Sequence, residues 1–92
     1  MSKKRFKRYL DLFEKRSAKI PYAYYKKILE DNYGAIELPR SQSAGSKRAF
    51  KIQQRIFVLH EPHKSDDYVG KWDHHNVLSI LEELGLLERD GE

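Results

Sequence analysis

Two apolar-alternating runs separated by only two residues constrain this chain more than anything else in it. Lys47-Arg48-Ala49-Phe50-Lys51-Ile52 and Arg55-Ile56-Phe57-Val58-Leu59-His60 flank Gln53-Gln54. Apolar residues recurring with a two-residue period favour extended strands, and so short a connection makes the second strand fold back on the first. A β-hairpin is therefore expected, entered from a loop that ends in Gly45-Ser46. Its first strand carries Lys47, Arg48 and Lys51, its turn is followed by Arg55, and its exit carries His60 and His63. Cations and imidazoles thus gather where the backbone is most strongly specified.

The flanking segments read as helices and one short strand. Phe6, Tyr9, Leu10 and Phe13 recur at helical spacing between Lys3 and about Arg16, with Lys and Arg filling the rest, so an amphipathic basic helix is expected there. Such a helix can cap the core with a solvated cationic face, or serve as an electrostatic footprint for RNA, an acidic partner or a membrane surface. Pro21 suits the first turn of a second helix over 21–33, with Tyr25, Ile28 and Leu29 as its stripe and Gly34 as a left-handed stop. Tyr22, Tyr24, Tyr25 and Tyr33 can present base-stacking faces or pack half-buried. Residues 35–38, with Ile36 and Leu38 on one face and Pro39 after them, suit an edge strand.

Residues 39–46 are small, polar and turn-prone, and 61–71 form a second polar connection. A last helix is expected from Asp73 as N-cap, with Trp72 and Val77 as a hydrophobic staple. Val77, Ile80, Leu81 and Leu84 would be buried, and Gly85 would stop the helix with Leu86 folding back. The expected class is α+β in the order α-α-β-β-β-α, an antiparallel three-stranded sheet with helices packed on one face. Residues 1–20 read as a basic helical extension, 21–87 as the domain and 88–92 as a frayed tail.

Ninety-two residues allow one modest core, so function belongs on a surface or in a shallow cleft. The net charge of +4 is uneven: residues 1–20 hold eight Lys and Arg against Asp11 and Glu14. That asymmetry points to a polyanion or an acidic protein as partner. With no cysteine, disulfides and thiolate zinc sites are excluded, and a cytoplasmic setting is expected. No apolar run approaches a membrane span, and the N-terminus lacks the apolar core of a secretory signal.

Four histidines raise the question of a metal. His74 and His75 are adjacent on a helix, where neighbouring side chains diverge by about 100° and cannot both face one ion. No compact zinc spacing is present, so no metal site and no cofactor are expected. Nor is there a Gly-x-Ser-x-Gly elbow or a glycine-rich phosphate loop. Metal-free cleavage of an RNA phosphodiester, by contrast, needs a base, an acid and cations around the phosphorane. Lys47, His60 and His63 are the candidate catalytic residues, and Arg40, Ser46, Lys47, Arg48, Lys51, Arg55 and Lys64 the candidate RNA contacts. Two histidines beside a proline can equally be plain loop residues.

Gly45-Ser46-Lys47-Arg48-Ala49-Phe50, an apolar strand into His60-Glu61-Pro62-His63, and a helix ending Ile80-Leu81-Glu82-Glu83-Leu84-Gly85-Leu86 resemble the HicA toxins of bacterial toxin–antitoxin modules, over about residues 21–87. The resemblance implies a double-stranded-RNA-binding-like fold, mRNA-cleaving activity, and a HicB-type antitoxin that covers the active surface. The family's motif is Gly-Ser-His followed by a hydrophobic residue, with the histidine taken as catalytic; here that position is Lys47. A lysine binds phosphate but is a poor general base at neutral pH. Three outcomes stay open: His60 or His63 moves the protons while Lys47 binds RNA, the domain binds RNA without cutting it, or Lys47 is a desolvated base. The rival from another class is a protein-interaction module whose basic helix docks an acidic partner.

Overall fold

Ser2 opens the first helix, its hydroxyl oxygen accepting the N–H of Arg5 at 3.4 Å. The chain is then helical as α1 over Lys3–Glu14 in the computed structural model, which describes residues 2–40, 45–64 and 66–88. After α1 the chain reverses through Arg16, whose φ of 69° is left-handed. The Arg16 side chain ties this corner to the far end of the molecule, reaching Glu82 at 3.5 Å and the carbonyl of Glu88 at 2.5 Å. Helix α2 spans Tyr22–Tyr33, with Pro21 at its N-cap rather than inside its first turn. Gly34 ends it at a φ of +75°, a conformation that a side chain would strain.

Strand β1 is only Ile36–Glu37, β2 is Lys47–Ile52 and β3 is Arg55–His60. They form one antiparallel sheet in the order β1-β2-β3, with Ile36 opposite Lys51, Lys47 opposite His60 and Phe50 opposite Phe57. Alternation divides the hairpin cleanly. Arg48, Phe50, Ile52, Phe57 and Leu59 point to the helical side and are buried, whereas Lys47, Lys51, Ile56, Val58 and His60 are exposed on the other. Ile36 was expected to share one face of an edge strand with Leu38. It sits opposite Lys51 and is 64% exposed, because two paired residues are too few to drive a strand's apolar side inward.

Helix α3, Lys71–Glu83, starts three residues earlier than its sequence signals suggest. Gly70 is the N-cap and makes no side-chain cap bond, Asp73 lies inside the first turn, and Trp72 is 83% exposed, so the expected staple does not form. Asp73 is drawn away from capping because its carboxylate bonds His60 instead. The C-terminal end follows its signals: Leu86 N–H reaches Leu81 C=O at 2.9 Å and Gly85 N–H reaches Glu82 C=O at 3.1 Å, with Gly85 at a φ of +73°. This is the paired bonding of a Schellman motif.

A single core lies between the helices and the inner face of the sheet, built from Phe13, Ile20, Tyr25, Ile28, Leu29, Phe50, Ile52, Leu59, Val77 and Leu81. Phe13 of α1 and Ile20 are fully buried in it, so the domain boundary expected near residue 20 has no counterpart in the packing. The connection before α3 is also pinned: Tyr22 N–H bonds Asp67 C=O at 2.8 Å, Val69 N–H bonds Ile20 C=O at 3.0 Å, and Val69 joins the core. Of the expected polar tail, only Glu88 falls within the described residues. Among the described residues no helix is long and apolar enough to cross a membrane.

Candidate functional site

The helices cover one side of the sheet and leave the other open, and the open side collects the polar chemistry. Lys47 and His60 are direct cross-strand partners. The His60 N–H turns away from β2 to Asp73, so this is a non-hydrogen-bonded pair, the kind whose side chains approach most closely. The two are exposed, and Lys51 lies two pleats further along the same face.

Asp73 reaches His60 from the first turn of α3. Its Oδ2 accepts the His60 backbone N–H at 2.8 Å, and both carboxylate oxygens lie 3.2 Å from His60 Nδ1. The carboxylate is buried, so its lone pairs need donors, and His60 supplies two. An ionised carboxylate only accepts, which assigns the hydrogen to Nδ1 and leaves Nε2 as the ring's acceptor. An imidazole oriented by an acid in this way is equipped to take up a proton and to be stabilised once charged.

Two depressions adjoin this pair. Leu38, Pro39, Arg40, Lys47, Arg48, Ala49 and Val58 line a pocket of about 160 Å3, which brings Arg40 and Lys47 to one site. On the other side of Val58, a groove of about 500 Å3 runs between the free edge of β3 and α3. It is lined by Arg55, Ile56, Val58, His60, Asp73, Asn76, Ser79 and Glu83. His60 therefore stands beside a doubly cationic pocket and at the rim of an elongated groove.

The remaining candidates separate. Arg48 lies on the opposite side of β2 from Lys47 and is only 7% exposed. Its guanidinium bonds Glu61 at 2.7 Å, the Gly45 carbonyl at 2.7 Å and the Lys47 carbonyl at 3.0 Å. It is a clamp between the start of β2 and the exit of β3, and its guanidinium is taken up by these bonds although the residue also lines the small pocket. Arg55 sits at the far end of the hairpin, paired with Glu83 across the groove, so its charge is largely answered.

Ser46 is exposed at the loop end, and its carbonyl accepts the Glu61 N–H at 2.8 Å. His63 and Lys64 are exposed in the connection after β3, where their side chains make no bond among the described residues, and neither lines the pocket or the groove. The structure thus brings together Arg40, Lys47 and His60, adds Lys51 on the same face, and leaves His63 and Lys64 to one side. Residues 41–44 of the polar connection before β2 lie outside the described residues.

The two helix histidines take no part in this cluster. His74 is buried, its Nδ1 2.9 Å from the Tyr25 hydroxyl, with edge contacts to the Phe13 and Tyr25 rings. Burial holds its pKa below the usual imidazole range. His75 is exposed on the other side of α3 from the sheet's free edge. Among the described residues, no three His, Cys, Asp or Glu side chains converge as a metal site would require.

Asp73 is the candidate residue that the sequence alone does not reveal, since a lone acid before an apolar run reads as a cap. The inward placement of Arg48 had a signal: it alternates in phase with Phe50 and Ile52, and Lys47 with Lys51. No family model matches the chain, and no curated protein or solved structure matches it either.

Proposed function

We propose that this is a cytoplasmic, HicA-like protein that binds mRNA on the open face of a dsRBD-like sheet and cuts it without a metal. The observation behind this reading is the opposition of Lys47 and His60 on an exposed surface, with the Asp73 carboxylate behind the imidazole. Attack of a 2′-hydroxyl on the adjacent phosphorus needs that hydroxyl's proton removed, the phosphorane's charge held, and the departing 5′ oxygen protonated. His60 Nε2 takes the first proton. Lys47 and Arg40 hold the non-bridging oxygens, as point charge and as fork. The imidazolium then protonates the leaving oxygen, giving a 2′,3′-cyclic phosphate and a 5′-hydroxyl. In place of the family's motif histidine, Lys47 contributes fixed charge, and the base is supplied across the strand pair.

The same face favours a protein partner as well. Ile36, Ile56 and Val58 are exposed among Lys47, Lys51 and Arg40, an apolar centre within a cationic rim. An antitoxin of HicB type would cover these side chains and the His60 site together. A rival reading without RNA, docking of an acidic protein alone, predicts no salt-dependent RNA binding. Titration of labelled mRNA across a range of salt decides between them. Lys47→Ala is expected to weaken binding and to lower the slope of log K against log salt by about one unit. Unchanged affinity and slope would take Lys47 out of the site.

A further inference from the structure

The densest charge in the molecule lies outside that face. Lys3, Lys4, Arg5, Lys7 and Arg8 are all exposed on α1, and none of them has a carboxylate partner among the described residues. The first acid of the helix, Asp11, is already engaged by Lys15 at 2.9 Å. Lys3, Lys4 and Arg5 lie in the first turn, at the positive end of the helix dipole, where like charge works against folding. Apart from Arg8, whose guanidinium donates to the Tyr9 hydroxyl at 3.2 Å and lies over its ring, these side chains make no hydrogen bond or ion pair among the described residues, which leaves them open to a partner.

The rest of α1 says what kind of partner. Its apolar stripe is spent: Phe6, Tyr9 and Leu10 pack against the core and Phe13 is buried within it. A helix that lies in a membrane surface keeps its apolar face free for the lipid, and this one does not. The half-exposed Phe6 ring lines the cleft beside these cations, and one ring is less than the clustered anchors around which protein interfaces are built. Beside the cations, a cleft of about 250 Å3 between α1 and α2 is lined by Ser2, Lys3, Phe6, Lys7, Lys27 and Asp31. Lys27 is paired there with Asp31 at 3.2 Å, while the half-exposed Phe6 ring shares the cleft with Lys3 and Lys7, a stacking surface beside cations that suits a single nucleic-acid strand.

We infer that the outer face of α1 and the cleft beside it form a second binding surface for single-stranded RNA, on the helical side of the molecule and separate from the open sheet. It rests on the RNA-binding reading of this protein but does not require cutting at His60. A strand held there raises its own effective concentration at the sheet face when it is long enough to reach both.

The test uses the full chain, a labelled single-stranded oligonucleotide and vesicles containing phosphatidylserine. Replacing Lys3, Lys4, Arg5, Lys7 and Arg8 together by Gln is expected to lower the salt slope by about 3.5 units, at about 0.7 for each phosphate of a single strand that is no longer neutralised. Thermal stability should hold or rise, since the charges oppose the dipole. K4Q/R8Q, the milder variant for use if the quintuple one misfolds, should lower it by about 1.4 units. R5K/R8K should keep the slope. Lys47 is intact in these variants and α1 is intact in Lys47→Ala, so each surface is read without the other. An unchanged slope in K4Q/R8Q would overturn the inference, and so would binding to the vesicles with no change toward the oligonucleotide.

Discussion

One carboxylate fixes both the backbone and the ring of His60. Asp73 accepts the His60 N–H and reaches Nδ1, so the imidazole has a set tautomer and a set direction. Asp73→Asn keeps an oxygen for the backbone N–H but cannot stabilise an imidazolium. RNA cutting is expected to fall by about 10²-fold or more with RNA affinity and melting temperature nearly unchanged. A variant that cuts at the normal rate would reduce Asp73 to a structural bond. The uneven legibility of the site has a plain cause. Lys47 and His60 belong to one hairpin, whose register follows from its two-residue turn, so their meeting could be read from local sequence. Asp73 meets His60 only after a 13-residue excursion and the packing of α3 on β3, which no local pattern encodes. Arg48 is legible in principle through strand alternation, although its charge by itself suggests the solvent face.

At the scale of elements, α1 is part of the domain. The Phe13 ring lies 5.3 Å from Tyr25, 5.4 Å from Tyr33 and 5.4 Å from His74, centroid to centroid, and Arg16 at the end of the same segment bonds Glu82 of α3. Phe13→Ala should therefore cost about 3–5 kcal/mol in urea denaturation, as for other large aromatic truncations in cores. A loss of only a few tenths would make α1 the appendage that its composition suggests. The hairpin and both glycine-stopped helices were readable because alternation, helical period and left-handed glycines act locally. The start of α3 was not, because Asp73 satisfies two hydrogen bonds to His60 in preference to its own helix end. The short β1 left Ile36 facing water for the same kind of reason, since its neighbours rather than its period set its face.

Seen whole, the molecule has a helical side carrying the α1 cations and an open sheet side carrying Arg40, Lys47, Lys51 and His60, with a neutral imidazole buried between them. His74 gives this arrangement a pH dependence. Its folded-state pKa is held down by burial, so on acidification the unfolded chain takes up a proton near the ordinary imidazole value of about 6.5, before the folded chain does. The stability contributed by neutral His74 is intact above that value. It is lost as the pH falls below it, by up to about 1.4 kcal/mol per pH unit until the folded group also titrates. Urea midpoints measured between pH 7 and pH 5 should decline more steeply for the wild type than for His74→Gln; parallel curves would mean that His74 does not carry the effect.

The most direct measurement is cleavage of end-labelled mRNA by the purified protein with EDTA present, set beside His60→Ala under the same conditions. Fragments ending in 2′,3′-cyclic phosphate are expected from the wild type, and bound but intact RNA with the variant. RNA left whole by the wild type, or cut equally well by His60→Ala, would contradict it.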